Sequence, residues 1–483
     1  MARLGARSGQ VAGFVFLCSV LAAPVVQGSG LATPRFGGWT GLTLDSASSL
    51  HLNPAALARI DDKRLQVDLA AIYANIRYKR GRRAFYQHED GFDFALPVPT
   101  SDIDPSKTGW TNEVSANEIL PAVAVALAIP LTDRVVLGVG VNPAFGAVAE
   151  FPDDGPQRYQ IQQVVLFAGY LTTALAVEAT DWLAIGLGLD VVAATLSLRQ
   201  VVDLAGTPLL GDTFAKPPIN QQNDFSSDAP PAVRELSALS RDTTVDGATA
   251  IGLSFKAGVT LTPHKTVRIA LAYQHGANLV LEGDGYLDMN HDIFTKDLSA
   301  HGMRYPALVR STIYAGLPLP ASLRLGVGWL PSEAFELHLD VGWVGYSAID
   351  SLDITMQSLD LAQPKLGVSD VASYSLPRRW NDTLETCALA VFRLTPGFRL
   401  GLRGGYHSPV SPDATMDLMA IDGHRLIAGV LGRWQLEGGL QIGAHIGGHH
   451  ILERRVVASD YDRGNGIYGL TIIHAGGDIA WRW

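Results

Sequence analysis

Leu183-Ala184-Ile185-Gly186-Leu187-Gly188-Leu189-Asp190 puts a large aliphatic residue at every odd position and a small or acidic residue at every even one. A side-chain period of two belongs to an extended strand, whose successive residues point to opposite faces. The same alternation recurs along the chain. Val123, Val125, Leu127 and Ile129 are separated only by alanines, and Leu137, Val139 and Val141 alternate with Gly138, Gly140 and Asn142. Phe335, Leu337, Leu339, Val341 and Trp343 alternate with Glu336, His338, Asp340 and Gly342. In each case one face is greasy and the other is small or polar. A soluble sandwich would turn the greasy face to its core. A membrane barrel would turn it to lipid and keep the small or polar face for the lumen.

The connections decide between these two. Tight turns fall at Leu131–Arg134, Glu178–Asp181, Thr262–Lys265, Leu330–Glu333, Leu394–Gly397 and Leu436–Gly439. Between them lie longer polar stretches over about 80–116, 148–158, 203–247, 289–310, 357–381, 411–423 and 454–466. Short and long connections alternate strictly, so all long loops leave from one end. A sandwich has no reason for that arrangement, whereas outer-membrane barrels have short turns on one side and long loops on the other. Six turns and seven loops predict about fourteen strands in a closed antiparallel transmembrane β-barrel, with both ends on the short-turn side. Trp182, Trp329 and Trp434 stand beside tight turns, and Trp481 and Trp483 end the chain. All five are expected at one interface, as an aromatic girdle requires. The terminal stretch Ile467–Trp483 changes apolar parity near Gly476-Gly477, which predicts a bulge there.

Composition agrees with an all-β membrane protein. The chain has 483 residues, 50 Gly, 47% hydrophobic and only 17% charged residues. That apolar content excludes disorder, and two cysteines exclude a disulfide scaffold. Beyond the N-terminus no apolar run approaches the ~18 residues of a spanning helix. A net charge of −10 and the lack of a basic patch exclude nucleic acid as a partner.

Arg3 and Arg7 precede the apolar stretch Val11–Ala23, and small residues follow to Gly28. This is the pattern of a secretory signal peptide, assigned to residues 1–28. Residues 29–62 do not alternate. They pass from Ser29-Gly30 to Asp45-Ser-Ala-Ser-Ser-Leu-His-Leu-Asn53-Pro54-Ala55-Ala-Leu-Ala-Arg59, with short helical potential broken at Pro54. A segment of this size, ahead of a barrel over 63–483, is expected to plug the lumen.

From these residues the chain resembles the FadL/TodX family of outer-membrane transporters for long-chain fatty acids and aromatic hydrocarbons. The Asn53-Pro54-Ala55 motif is similar to that family's N-terminal hatch. Gly146-Ala-Val-Ala-Glu150-Phe151 after the third strand, Tyr314–Pro320 at the eighth and Ser408-Pro409-Val410 after the eleventh are similar too. The resemblance implies passive uptake of hydrophobic molecules across the outer membrane of a Gram-negative cell. Cargo would be captured in an external groove, transferred past the hatch, and released sideways where the third strand kinks. It also implies a monomer without cofactor, working with apolar cargo, outer-membrane lipid, lipopolysaccharide and the barrel-assembly machinery. The kink falls to Asn142, Pro143 and Gly146. Arg199 and Arg324 are candidates for a cargo carboxylate, with Asp190, Glu336 and Asp340 as alternative partners. Leu209, Leu210, Phe214 and Phe225 are candidates for the groove, in a loop where Ala232–Ser240 has helical potential.

A general diffusion porin, or a structural or adhesive barrel, is the alternative. His445, His449 and His450 suggest a metal, but 445 and 449 are about 13 Å apart along a strand, too far for one zinc; solvated lumen histidines are expected, and no metal. Asp102, Asp104, Asp153 and Asp154 read as solvated loop acids. No Ser/His/acid set stands out among 13 histidines, so no enzyme is expected.

Overall fold

The computed structural model describes residues 39–81, 86–87, 93–94, 113–203, 240–364, 369–457, 459–460 and 464–483. The proposed signal peptide lies outside them, as do the groove candidates Leu209, Leu210, Phe214 and Phe225. Eighteen segments form one antiparallel sheet that closes on itself. Four strands are each broken once, so the segments make a fourteen-strand barrel. In chain order it comprises β1 (Arg64–Arg80), β2 (Val114–Thr132), β3 (Val135–Glu150), β4 (Gln163–Thr180), β5 (Leu183–Asp203) and β6 (Ser240–His264). The broken strands follow: β7 (Val267–Gln274 and Ala277–Asp288), β8 (Leu308–Leu319 and Ser322–Ser332), β9 (Phe335–Val344 and Ser351–Gln357) and β10 (Val371–Pro377 and Thr383–Thr395). The last four are β11 (Phe398–His407), β12 (Arg425–Gln435), β13 (Leu440–Val456) and β14 (Gly466–Arg482). β14 pairs with β1 from Arg482↔Arg64 to Gly466↔Arg80, which closes the cylinder and removes every sheet edge at that joint.

All six tight turns are where the alternation puts them. Outward-facing aliphatics such as Leu187, Leu253, Leu325, Leu402 and Ile446 are exposed on the wall, and the five tryptophans beside the turns and at the C-terminus are exposed at one end. This is the lipid-facing band with an aromatic rim.

Several sequence expectations need correction. The Gly476-Gly477 bulge is absent, since β14 runs in unbroken register with β1. The apolar residues Tyr468, Leu470 and Ile472 point inward, because the loop-side half of the lumen is itself apolar; the bulge lies instead in β13, between Ile451 and Arg454. The loop assigned to 203–247 is shorter, as Ser240–Val245 pair with Asp203–Leu198. Ser240 therefore opens a strand, while the rest of the expected helix lies outside the described residues. Within 357–381, Val371–Pro377 pair with Gln357–Ser351.

Residues 39–62 lie inside the cylinder and make two short 3-10 helices, Ala47–His51 and Pro54–Arg59. Pro54 starts the second helix rather than breaking the first. Its missing N–H is no loss at a helix's first position, and Asn53 caps the turn by accepting from the Ala55 N–H at 3.1 Å. Leu50, Leu57 and Ile60 are fully buried against Ala126, Ala128, Val136, Ala174, Ala176 and Ala184 of the wall.

Candidate functional site: a seated plug, a split ladder and a lumen cavity

The small residues that alternate with the greasy ones are the plug's seat. A Cβ on Gly186 of β5 would collide with the backbone of Pro54 and Ala55, and one on Gly258 of β6 would collide with Asn53. The wall also ties the plug by polar contacts. Asn53 Nδ2 donates to Thr260 Oγ1 at 3.0 Å. Ser46 donates to Gln66 at 2.6 Å and Ser48 to Asp68 at 2.5 Å, both on β1. Thr43 bonds His338 of β9 at 2.7 Å. Arg403 of β11 donates to the Thr40 carbonyl at 3.1 Å, and the Arg433 guanidinium of β12 lies 5.0 Å from the Trp39 ring. The bonds of Thr43, Ser46, Ser48 and Asn53 are buried, where a hydrogen bond lost without replacement costs about 1–3 kcal/mol. His51, on the plug and buried, has its imidazole pushed down to about 3, first by burial and then by the Lys256 ammonium.

Asn142 and Pro143 stand in the middle of β3, which continues to Glu150; the strand does not end at the proline. Between Pro143 and Phe145 the register with β4 slips by one residue, so the irregularity sits at Ala144. Gly146 follows in regular pairing opposite Phe167. The consequence lies on the other edge. β3 pairs with β2 only from Thr132↔Val135 to Val125↔Val141. Beyond that point Val114–Ala124 of β2 pair with β1 alone, and Asn142–Glu150 of β3 pair with β4 alone. The ladder is split over the loop-side half of these strands. Proline, which has no N–H to donate, stands where the split begins. At its outer end the Glu118 carboxylate accepts from the Glu150 N–H at 3.2 Å. Phe145, Ala147 and Ala149 turn inward and are buried.

Inside the barrel a cavity of about 150 Å³ is lined by His51 and Leu52 of the plug, Asn142 and Phe145 of β3, and Arg324, Glu385, Cys387, Arg403, His445, His449 and His474 of the wall. It therefore touches both the plug and the split. Of the two candidate cations, Arg324 lines this cavity and pairs with Glu385 at 3.2 Å, not with the acids suggested by the sequence. Arg199 lies outside it and is held by Asp153 at 2.6 Å. Asp190 is taken by Lys256 at 3.2 Å, both buried, with Thr172 donating to the same carboxylate at 2.6 Å. The histidines are not solvated: His445 and His449 are buried, and only His450 faces outward. Sequence reading missed His474, which comes between them from β14; the register Gly447↔His474 was not legible before the pairing was known. Among the described residues no group is arranged to hold a metal ion.

On the loop side of the cavity the lumen is packed with large apolar residues from the wall, including Ile72, Leu196, Leu281, Leu317 and Leu470, together with Met416, Leu418 and Ile421 of the loop after β11. Gln160 of the β3–β4 loop joins this roof to the wall: it donates to the Tyr78 hydroxyl at 2.9 Å and accepts from the Leu418 N–H at 2.8 Å.

With this geometry in hand, comparison with known proteins is informative. The sequence profile of the family described as "Outer membrane protein transport protein (OMPP1/FadL/TodX)" matches residues 21–469. The chain belongs to this family. It is thus an outer-membrane β-barrel of the FadL/TodX kind, as its loop alternation and plug segment indicated. Similar solved structures include a Pseudomonas aeruginosa FadL homologue, with 19% identity, TM-score 0.69, and coverage of 95% of this chain and 99% of that one. The Pseudomonas putida toluene transporter TodX shares 15% identity at TM-score 0.64, covering 95% and 99%. The Ralstonia pickettii toluene transporter TbuX shares 16% at TM-score 0.60, also covering 95% and 99%. At these identities the likeness is one of fold. Comparison with curated proteins returned no match.

Proposed function

We propose that this protein is a channel for passive uptake of hydrophobic molecules, long-chain fatty acids or hydrocarbons, in which cargo captured outside moves past the plug region and leaves sideways between β2 and β3. The observation that carries this reading is the split ladder opening beside a cavity that the plug and the kinked strand share. Each CH₂ taken from water is worth about 0.8 kcal/mol, so a chain of apolar surfaces is a cheaper route for such cargo than a wet pore. The roof of large aliphatics supplies the outer part of that chain. The similar structures named for toluene transport support apolar cargo. In the same reading residues 29–62 are the hatch, Asn53, Pro54 and Ala55 its seat on the wall, Asn142, Pro143 and Gly146 the kink, and Arg324 the better-placed partner for a cargo carboxylate. Leu209, Leu210, Phe214 and Phe225 remain the proposed outer groove. A diffusion porin would keep an open, wet lumen, and the seated plug weighs against it. The test is Pro143→Val, which restores the backbone donor. Uptake of a labelled apolar cargo by cells is expected to fall several-fold while surface binding stays intact; equal uptake by the variant would exclude the sideways route.

A further inference from the structure

The cavity wall carries a feature that a channel for plain hydrocarbon has no use for. His445 and His449 stand four residues apart on the inner face of β13, and His474 enters from β14 opposite Gly447, between them. The ring centroids are 5.5 Å apart for His445 and His474 and 5.8 Å for His449 and His474. Gly447 makes the arrangement possible, since a Cβ there would stand 2.7 Å from His474 Nε2. The three residues are buried, with only 7%, 4% and 8% of the residue exposed for His445, His449 and His474. Yet both ring nitrogens of His445 and Nδ1 of both His449 and His474 have no hydrogen-bond partner among the described residues. A buried polar atom without a partner costs about 1–3 kcal/mol. All three rings face the cavity, as do Arg324 and Arg403, and Glu385 is the carboxylate on that wall.

We infer that this cavity is a head-group site, taking cargo that joins an apolar body to one hydrogen-bonding oxygen, a phenolic hydroxyl or a carboxylate, in preference to bare hydrocarbon. A neutral imidazole offers one donor and one acceptor. A phenol satisfies both and a carboxylate satisfies the donors, while the two arginines favour negative charge on the oxygen. Toluene satisfies none of these atoms and leaves them stranded. The apolar body rests on Phe145, Tyr170 and Val344 across the same cavity. The inference rests on the transport reading for the idea that cargo occupies the lumen, but it concerns which cargo.

The test uses three probes of one shape, toluene, p-cresol and p-toluate, titrated into the purified full-length barrel by calorimetry against empty micelles. At least one oxygen-bearing probe is expected to bind about tenfold or more tighter than toluene, the scale of one or two buried hydrogen bonds; which of the two binds identifies the head. His474→Phe keeps the ring and removes its nitrogens. It is expected to abolish that preference by weakening the oxygen-bearing probe far more than toluene, and His445→Leu serves the same purpose should the first variant fail to assemble. Equal binding of all three probes by the parent overturns the inference, as does a variant that weakens all three alike. Because binding is read without transport, failed uptake in cells with the preference intact counts against the transport reading alone.

Discussion

The two halves of the lumen are built from the same strands and differ in the size of their inward residues. Toward the turns β5 points Ala184, Gly186, Gly188 and Asp190 inward; toward the loops it points Val192, Ala194, Leu196 and Leu198. β1 passes in the same direction from Gln66, Asp68 and Ala70 to Ile72, Ile76 and Tyr78, and β14 from Ala480, Asp478 and His474 to Ile472, Leu470 and Tyr468. Small side chains leave a hollow that a separate segment must fill. Large ones meet across the lumen and fill it themselves. One half is thus a socket filled by a separate segment, and the other is a core belonging to the wall and its loops.

The comparison is easiest to break at the socket. Deleting residues 29–62 is expected to raise single-channel conductance at least tenfold, because the small-residue half cannot close unaided; an unchanged trace would show that the roof alone seals the barrel. Gly186→Val should achieve much of this with the segment still attached, since a side chain there meets the backbone of Pro54 and Ala55. Frequent opening with a normal melting profile is the expected record. The loop-side half should respond in the opposite way. Leu470→Ala removes a fully packed side chain and is expected to cost about 2–5 kcal/mol, read as an earlier heat-induced shift in gel migration, with conductance unchanged. The smallest effect is one of pH. His51 titrates near 3 in place and near 6.5 when released. Seating therefore favours the neutral ring, is fully stabilising above about 6.5, and weakens as pH falls from there toward 3. Openings should become more frequent at pH 5 than at pH 7.5, and His51→Leu should remove the difference.

Much of the fold was legible because the alternation and the loop lengths are properties of short stretches. Strand number, the side of the turns and the presence of an inner segment all followed from them. What escaped was whatever depends on the contents of the lumen. Tyr468, Leu470 and Ile472 mimic a register change wherever a lumen face is taken to be small or polar, and here that face is apolar. His474 was invisible as a partner of His445 because 29 positions separate them and only the pairing of β13 with β14 brings them together. Arg324 lines the cavity, yet its partner Glu385 lies two strands away on β10, across β9, and no spacing rule reaches that far. Pro143 advertised a fault in the ladder, but not that pairing with β4 would slip by a single residue and resume while pairing with β2 would be lost altogether.

The lost β2–β3 pairing also bears on how deep the cylinder can sit in a membrane. Among the described residues Val114–Ala124 have no ladder partner on the β3 flank, and amide groups left bare in oil cost several kcal/mol apiece. On the outside at this height Tyr73 and Asn75 both donate to Asn117, at 2.9 and 2.7 Å, a polar cluster ill-suited to acyl tails. The upper part of the cleft is therefore better suited to the polar head-group zone, and its foot, near Val125 and Val141, to the fatty zone. On the sideways route proposed above, a molecule would emerge there already oriented, its tail sinking first while any oxygen it carries stays wet.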